Sequence, residues 1–251
     1  MQMSNKVPQV TAFFWIIKIL ATTVGETAAD FLAVRLHLGV AATSYVMGAV
    51  FLIALFFQMS GQRYIRSVYW TVVVFISVVG TLITDNLVNN FGISLTTTTL
   101  VFSCILAAMF SLWWLSERTL SVHAITTTKR EAFYWATILF TFALGTSAGD
   151  LVAENLHLGY PLSAVMFAAA IAATAAAYYV LKLDGVVAFW IAYVLTRPLG
   201  ASIGDFLSQP VTDGGLGLGT TLTSFAFLCA IVGVIVYLTS QQKVRRHVAN
   251  M

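Results

Sequence analysis

Charge is what this sequence has least of. Asp, Glu, Lys and Arg together make up 9% of its 251 residues, where a soluble globular domain carries roughly 25%. A chain so poor in charge cannot cover a water-facing surface, which excludes a soluble enzyme and a nucleic-acid-binding protein. Cysteine is scarce too. Cys104 and Cys229 each sit inside an apolar run, without the spacing of a metal site or a disulfide framework, and read as small buried hydrophobes. No cleavable leader is apparent, because the first apolar run contains Glu26 and Asp30 and continues past signal-peptide length. What the chain has in abundance is apolar surface: 59% of residues are hydrophobic and the mean hydropathy is +0.88. At ~20 apolar residues per bilayer crossing, the length admits about eight to ten spans. The expected class is an all-α integral membrane protein, with the lipid bilayer as its partner and no nucleic acid. It is read as one transmembrane domain over 1–251, and no enzymatic activity is expected.

Eight apolar segments stand out, at about 11–34, 40–59, 68–90, 95–115, 132–155, 161–181, 186–209 and 217–239. Basic residues fall on one side of an eight-span arrangement. Lys6, Arg63, Arg66, Arg118, Lys129, Arg130, Lys182, Lys243, Arg245 and Arg246 lie there, and Arg35 alone lies opposite. The positive-inside rule then predicts a multi-pass protein of a bacterial inner membrane with both termini cytoplasmic.

The odd segments share a pattern. Trp15, Trp70, Trp135 and Trp190 are each followed ten residues later by a glycine (Gly25, Gly80, Gly145, Gly200) and fifteen residues later by an aspartate (Asp30, Asp85, Asp150, Asp205). Successive Trp spacings of 55, 65 and 55 make the halves recur at 120, and His-Leu-Gly appears at His37–Gly39 and His157–Gly159. These features predict four helix-pair repeats, about 11–60, 68–116, 132–182 and 186–240. All enter from the same side, so they are parallel repeats about an axis along the membrane normal, forming a pseudosymmetric bundle.

Residues four apart share a helix face. The line through each aspartate reads Thr22, Glu26, Asp30, Val34; Ser77, Thr81, Asp85, Asn89; Phe142, Thr146, Asp150, Glu154; and Arg197, Ala201, Asp205, Gln209. Most of these positions are polar, in helices otherwise built from Val, Ile, Leu, Phe and Ala, so the line is expected to face the bundle interior. With Trp at the headgroup level, fifteen residues of rise, about 22 Å, put the aspartates in the outer third of the membrane. Intramembrane carboxylates are costly and mark function by default. Two structural roles compete with function: capping of the following turn, and pairing with Lys18 or Arg197, the basic residues inside the odd segments. The repeated glycine also fits close helix packing.

Glu26 and Glu154 stand one turn from Asp30 and Asp150 in the histidine-bearing repeats. Such pairs suit an oxygen-rich site for Mn²⁺, or for Zn²⁺ if His37 or His157 joins; an interfacial histidine at a helix end is the plainer reading. The candidate metal- or proton-binding set is therefore Asp30, Asp85, Asp150, Asp205, Glu26, Glu154, His37 and His157. Lys18, Arg197, Thr22, Thr81, Thr146 and Asn89 are supporting polar or charge-pairing residues. Hydroxyls near the even-segment starts (Thr43, Ser44, Thr96–Thr99, Ser163, Thr220, Thr221, Thr223, Ser224) read as helix-start backbone bonding. Trp113, Trp114, Tyr178, Tyr179 and Tyr237 read as interface anchors.

The segments Gly25–Asp30, Thr84–Asn86, Ala148–Asp150 and Ile203–Phe206, with His-Leu-Gly twice, resemble a family of uncharacterised bacterial multi-span integral membrane proteins. The Gly-Asp pairs are also weakly similar to cation and manganese transporters built around a Glu-x-Gly-Asp-Lys/Arg-Thr/Ser motif. Gly149-Asp150-Leu151 and Gly204-Asp205-Phe206 lack the basic and hydroxyl residues that follow in that motif, so no functional residue transfers. Three functions compete. The first is a cation transporter, for a divalent metal such as manganese. The second is a proton-coupled carrier of a small organic solute, held by Lys18 and Arg197. The third is a membrane haem protein with His37 and His157 as axial ligands.

The topology is directly testable. With Cys104 and Cys229 replaced, single cysteines at positions 62 and 185 should react with a membrane-impermeant thiol reagent only after the cells are opened. Labelling of intact cells at either position overturns the assignment.

Overall fold

The computed structural model describes residues 5–249, and side chains over 5–241. The side chains of Lys243, Arg245 and Arg246, counted above in the basic bias, lie outside that range. Eight helices form: α1 (Ala12–Asp30), α2 (Val40–Ser60), α3 (Arg66–Asp85), α4 (Leu95–Glu117), α5 (Thr128–Asp150), α6 (Tyr160–Val180), α7 (Gly185–Ser208) and α8 (Thr220–Ala249). Each is long and apolar enough to cross a membrane, and no strand occurs among the described residues. Local chemistry fixes several starts. The Thr11, Thr127 and Asp184 side chains accept from first-turn amides of α1, α5 and α7. Ser94 does the same for α4. Each satisfies a donor that helix geometry leaves orphaned.

Odd and even helices divide the work. α1, α3, α5 and α7 pack in a closed ring, each against the next and α7 against α1. They are the buried set, with 56–67% of their apolar windows inside the protein, where the even helices reach only 11–22%. The even helices form an outer layer, and each packs on the odd helix of the following repeat: α2 on α3, α4 on α5, α6 on α7, α8 on α1. A sequence repeat is therefore not a packed hairpin. Its second helix is handed on to the next repeat, and the ring closes only when α8 reaches back to α1.

The repeated glycine makes the inner ring possible. A Cβ on Gly25 would collide with Ser77, on Gly80 with Phe142, on Gly145 with Arg197, and on Gly200 with Thr22. Each partner lies seven residues after the tryptophan of the neighbouring repeat. One contact thus recurs around the axis, with a bare backbone against the next helix, as small residues allow in membranes.

Three of the inner helices change character right after the aspartate. Asp30, Asp85 and Asp150 end α1, α3 and α5, and each is followed by one π-helical turn (Phe31–Arg35, Asn86–Asn90, Leu151–Asn155). α7 runs on past Asp205 to Ser208. A left-handed residue then turns the chain toward the even helix: His37, Gly92 and His157 in repeats one to three, at φ near +54 to +67°. Gly39 and Gly159 precede α2 and α6 at φ +73°, a conformation that glycine adopts without steric cost. The His-Leu-Gly motif is thus a turn between layers.

Some expectations need correction. Trp70, Trp135 and Trp190 are buried at one end of the inner bundle, and Trp15 is half-buried. They pack against neighbouring aromatic rings, so they are not headgroup anchors. Trp113 is likewise fully buried, stacked on Phe133 and edge-on to Trp190, whereas Trp114, Tyr178, Tyr179 and Tyr237 are exposed. Cys104 and Cys229 are exposed rather than buried, because they sit on the outward faces of outer-layer helices.

The glycine contact predicts a contrast. G80A forces a Cβ against Phe142 and should destabilise by about 1–3 kcal/mol. G48A, in α2, meets nothing within 4 Å and should be neutral or slightly stabilising. Thermal unfolding in detergent checks this, and equal tolerance at the two positions contradicts it.

Candidate functional site

The polar line of the inner helices stacks into levels along the axis. Deepest toward the tryptophan end lie Thr22, Ser77, Phe142 and Arg197, all fully buried. One turn on come Glu26, Thr81, Thr146 and Ala201, also buried. The four aspartates follow. Val34, Asn89, Glu154 and Gln209 surround the mouth, with Asn89 and Glu154 exposed. Glu26 and Glu154, which look like counterparts in the sequence, stand two levels apart.

Arg197 sits on the axis and is inaccessible to solvent. Its Nη2 donates to Glu26 Oε2 at 2.6 Å, to Thr146 Oγ1 at 2.7 Å and to Thr81 Oγ1. Its Nη1 reaches the carbonyl oxygen of Thr22 at 3.2 Å. One guanidinium therefore draws on repeats one, two and three. Repeat four contributes Ala201 at the receiving level, buried and beside Gly149 of α5. Breaking such a buried pair by removing one partner is strongly destabilising. The basic partner of the interior is thus Glu26's, and the expectation that an aspartate pairs with Arg197 is corrected.

Lys18 lies deeper. Its Nζ has no hydrogen-bond partner and rests over the rings of Phe142 and Tyr193, 4.2 and 4.1 Å from their centroids. Cation–π attraction offsets part of its desolvation. No aspartate balances it, which corrects that pairing as well. Beyond it, Phe14, Phe189, Tyr193, Trp70, Tyr69, Trp190 and Tyr134 form one cluster of aromatic ring contacts. The Tyr69 and Tyr134 hydroxyls are hydrogen-bonded to each other. At the same end Lys6 is buried and donates to Glu131 Oε2 at 2.6 Å and to the Met59 carbonyl at 2.9 Å, which straps the segment before α1 across the bundle.

The aspartates are in a different condition. Asp30, Asp85 and Asp150 are partly open to water, and Asp205 is 6% exposed. Asp30 Oδ2 accepts from Gln209 Nε2 at 3.2 Å, while among the described residues the carboxylates of Asp85, Asp150 and Asp205 hold no hydrogen bond or ion pair with the protein. None of the three at a π-helical junction caps it, so the capping role fails. The carboxylates are close enough to feel one another's charge and that of Glu26.

No dry metal cage is formed. Among the described residues, no group of three or more His, Cys, Asp and Glu side chains is placed to hold an ion. The expected clusters do not assemble because Glu26 is engaged by Arg197, Glu154 Oε1 accepts from the Tyr160 hydroxyl at the mouth, and His37 and His157 are exposed at left-handed turns. Asn89 is exposed at the rim, and its neighbour Asn86 does the bonding, to Ser44 Oγ at 2.6 Å and the Leu82 carbonyl at 2.8 Å. The hydroxyls of Thr43, Thr98, Ser163 and Thr223 bond back to the carbonyl four residues earlier. Two open grooves of about 730 and 940 Å³ lie at the tryptophan end and contain none of the sequence-predicted site residues.

Residues that the sequence did not single out include Pro198, Tyr193 and Tyr160. The usable signal was asymmetry: the repeat that carries Arg at one level carries Ala one turn on.

The pairing separates two kinds of acid. E26Q should leave the Arg197 guanidinium without a counter-ion and cost ~3–5 kcal/mol. D85N and D150N remove no protein contact and should melt within about 1 kcal/mol of wild type. Thermal unfolding of the three purified variants checks this, and equal losses in all three contradict it.

No curated protein and no solved structure matches the chain. A family pattern described as Repeat of Unknown Function (DUF347) matches four times, over residues 13–64, 68–119, 133–183 and 188–243. Each match contains one odd helix with its Trp, Gly and Asp and the even helix that follows it. The chain belongs to the DUF347 repeat family.

Proposed function

We propose that this protein is a membrane carrier for a cation, with a hydrated divalent metal such as Mn²⁺ as the cargo its acidic mouth suits best. The observation that carries the reading is the ring of four aspartates. They share one level above the buried Arg197 cluster, three of them are partly open to water, and three of the carboxylates have no protein partner. Carboxylates in that condition repel one another, and a cation or proton relieves the repulsion. The absence of a ligand-grade cluster fits an ion held through its own waters, as hard divalent ions keep several. An anionic solute is disfavoured, since it would have to pass the aspartates before meeting Arg197 or Lys18. The positive-inside rule orients the tryptophan end, with Arg63, Arg66, Arg118, Lys129, Arg130 and Lys182, toward the cytoplasm, so the aspartates open to the opposite side.

Purified protein in liposomes tests the reading. Wild type should move Mn²⁺, with or without counter-flow of protons, and D150N should lose at least tenfold in flux while its melting temperature is unchanged. Equal flux of Mn²⁺ and protons in wild type and D150N refutes it.

A further inference from the structure

We infer that the level below the aspartates is a second cation site, selective for a planar, dehydrated monovalent cation of the guanidinium class, and that Arg197 is its tethered occupant. The site is built by three repeats around a ligand that the fourth supplies. Glu26 Oε2, Thr81 Oγ1, Thr146 Oγ1 and the Thr22 carbonyl oxygen all point at the Nη edge of one guanidinium. They are one carboxylate, two hydroxyls and one carbonyl, enough to neutralise a single positive charge and to accept from both Nη groups. The aliphatic stem of Arg197 packs on the bare backbone of Gly145, and its Nε, the atom that joins head to stem, has no hydrogen-bond partner though buried. The polar recognition is of the two Nη groups.

The tether is attached where the helix is weakest. Pro198 follows Arg197 inside α7. Proline lacks the N–H that would bond four residues back, and its ring loosens a helix at that point. Ala201, one turn on and fully buried, occupies the cradle level without filling it. The Phe142 ring, which flanks the guanidinium at 5.9 Å and Lys18 at 4.2 Å, gives the floor of the site an aromatic face of the kind that holds cations. A guanidinium released from its stem would meet the same acceptors and the same ring.

The test is a binding measurement on the full chain. R197A empties the cradle and leaves the Glu26 carboxylate without its partner. Guanidinium chloride at tens of millimolar should raise the melting temperature of R197A by about 2–4 °C over choline chloride of equal ionic strength. Wild type, whose site is filled, and R197A/E26Q, which lacks the carboxylate, should show no such difference. Should R197A be too unstable to purify, its recovery as a monodisperse protein in guanidinium but not in choline is the same result. Equal behaviour in the two salts, or recovery in neither, overturns the inference. Because the readout is stability and not flux, it separates from the carrier reading. Guanidinium selectivity in R197A stands even if Asp150 proves irrelevant to transport, and its absence leaves the Asp150 experiment untouched.

Discussion

The guanidinium of Arg197 has to reach Glu26 from the last repeat to the first, and much of the architecture follows from that contact. Neither group has a partner in lipid, where an unpaired charge is costly, so α7 must come to lie against α1. Once it does, the inner helices form a ring rather than a row. The even helices complete the closure because each is passed to the next repeat, and α8, the last, seals the outside of α1. The chain cannot satisfy its most expensive polar groups without joining its ends.

Fourfold repetition and departure from it play different parts. The repeated features are steric: the Gly-to-next-helix contact, the left-handed turn between layers and the back-bonded hydroxyl at each even-helix start. They set distance and angle, and the glycine contact and the back-bonded hydroxyl recur in all four repeats. The departures are electrostatic. Glu26, Arg197, Lys18 and Glu154 each occur in a single repeat at their own level. A strictly symmetric ring could not hold one guanidinium with one carboxylate, since each substitution would arrive four times. The asymmetry is what gives the axis a polarity, with acids toward the mouth and cations beneath them.

This division also explains what the sequence disclosed. The Trp, Gly and Asp spacings and the alternation of polar and apolar faces were enough for eight spans, four repeats and an inward polar line, because steric repeats leave a periodic trace. The partner choices left none. Asp30 and Glu26 sit one turn apart on one face and look like a chelating pair, yet Glu26 is bound by a residue 171 positions away. The histidines looked like ligands because their chemistry permits it, whereas their place in the chain is set by a left-handed φ that Gly92 satisfies just as well in the second repeat. The tryptophans looked like interface residues, but they pack among aromatic rings of the inner helices and, for Trp190, of α4.

In the proposed carrier, the closed end would constrain the cycle of access. The repeats are parallel, so exchanging the conformations of two of them does not turn an outward opening into an inward one, as it does in carriers built from inverted repeats. An opening at the tryptophan end must come from an element that differs among the repeats. Three inner helices place their irregular π-helical turn beyond the aspartate, on the mouth side. α7 alone has a helix-breaking proline on the closed side of its aspartate, next to the arginine that crosses the axis. Motion at Pro198 would carry Arg197 away from Glu26 and disturb the Tyr193 ring over Lys18 in the same displacement. The inner helix that carries an internal proline is thus also the one that holds the axial guanidinium.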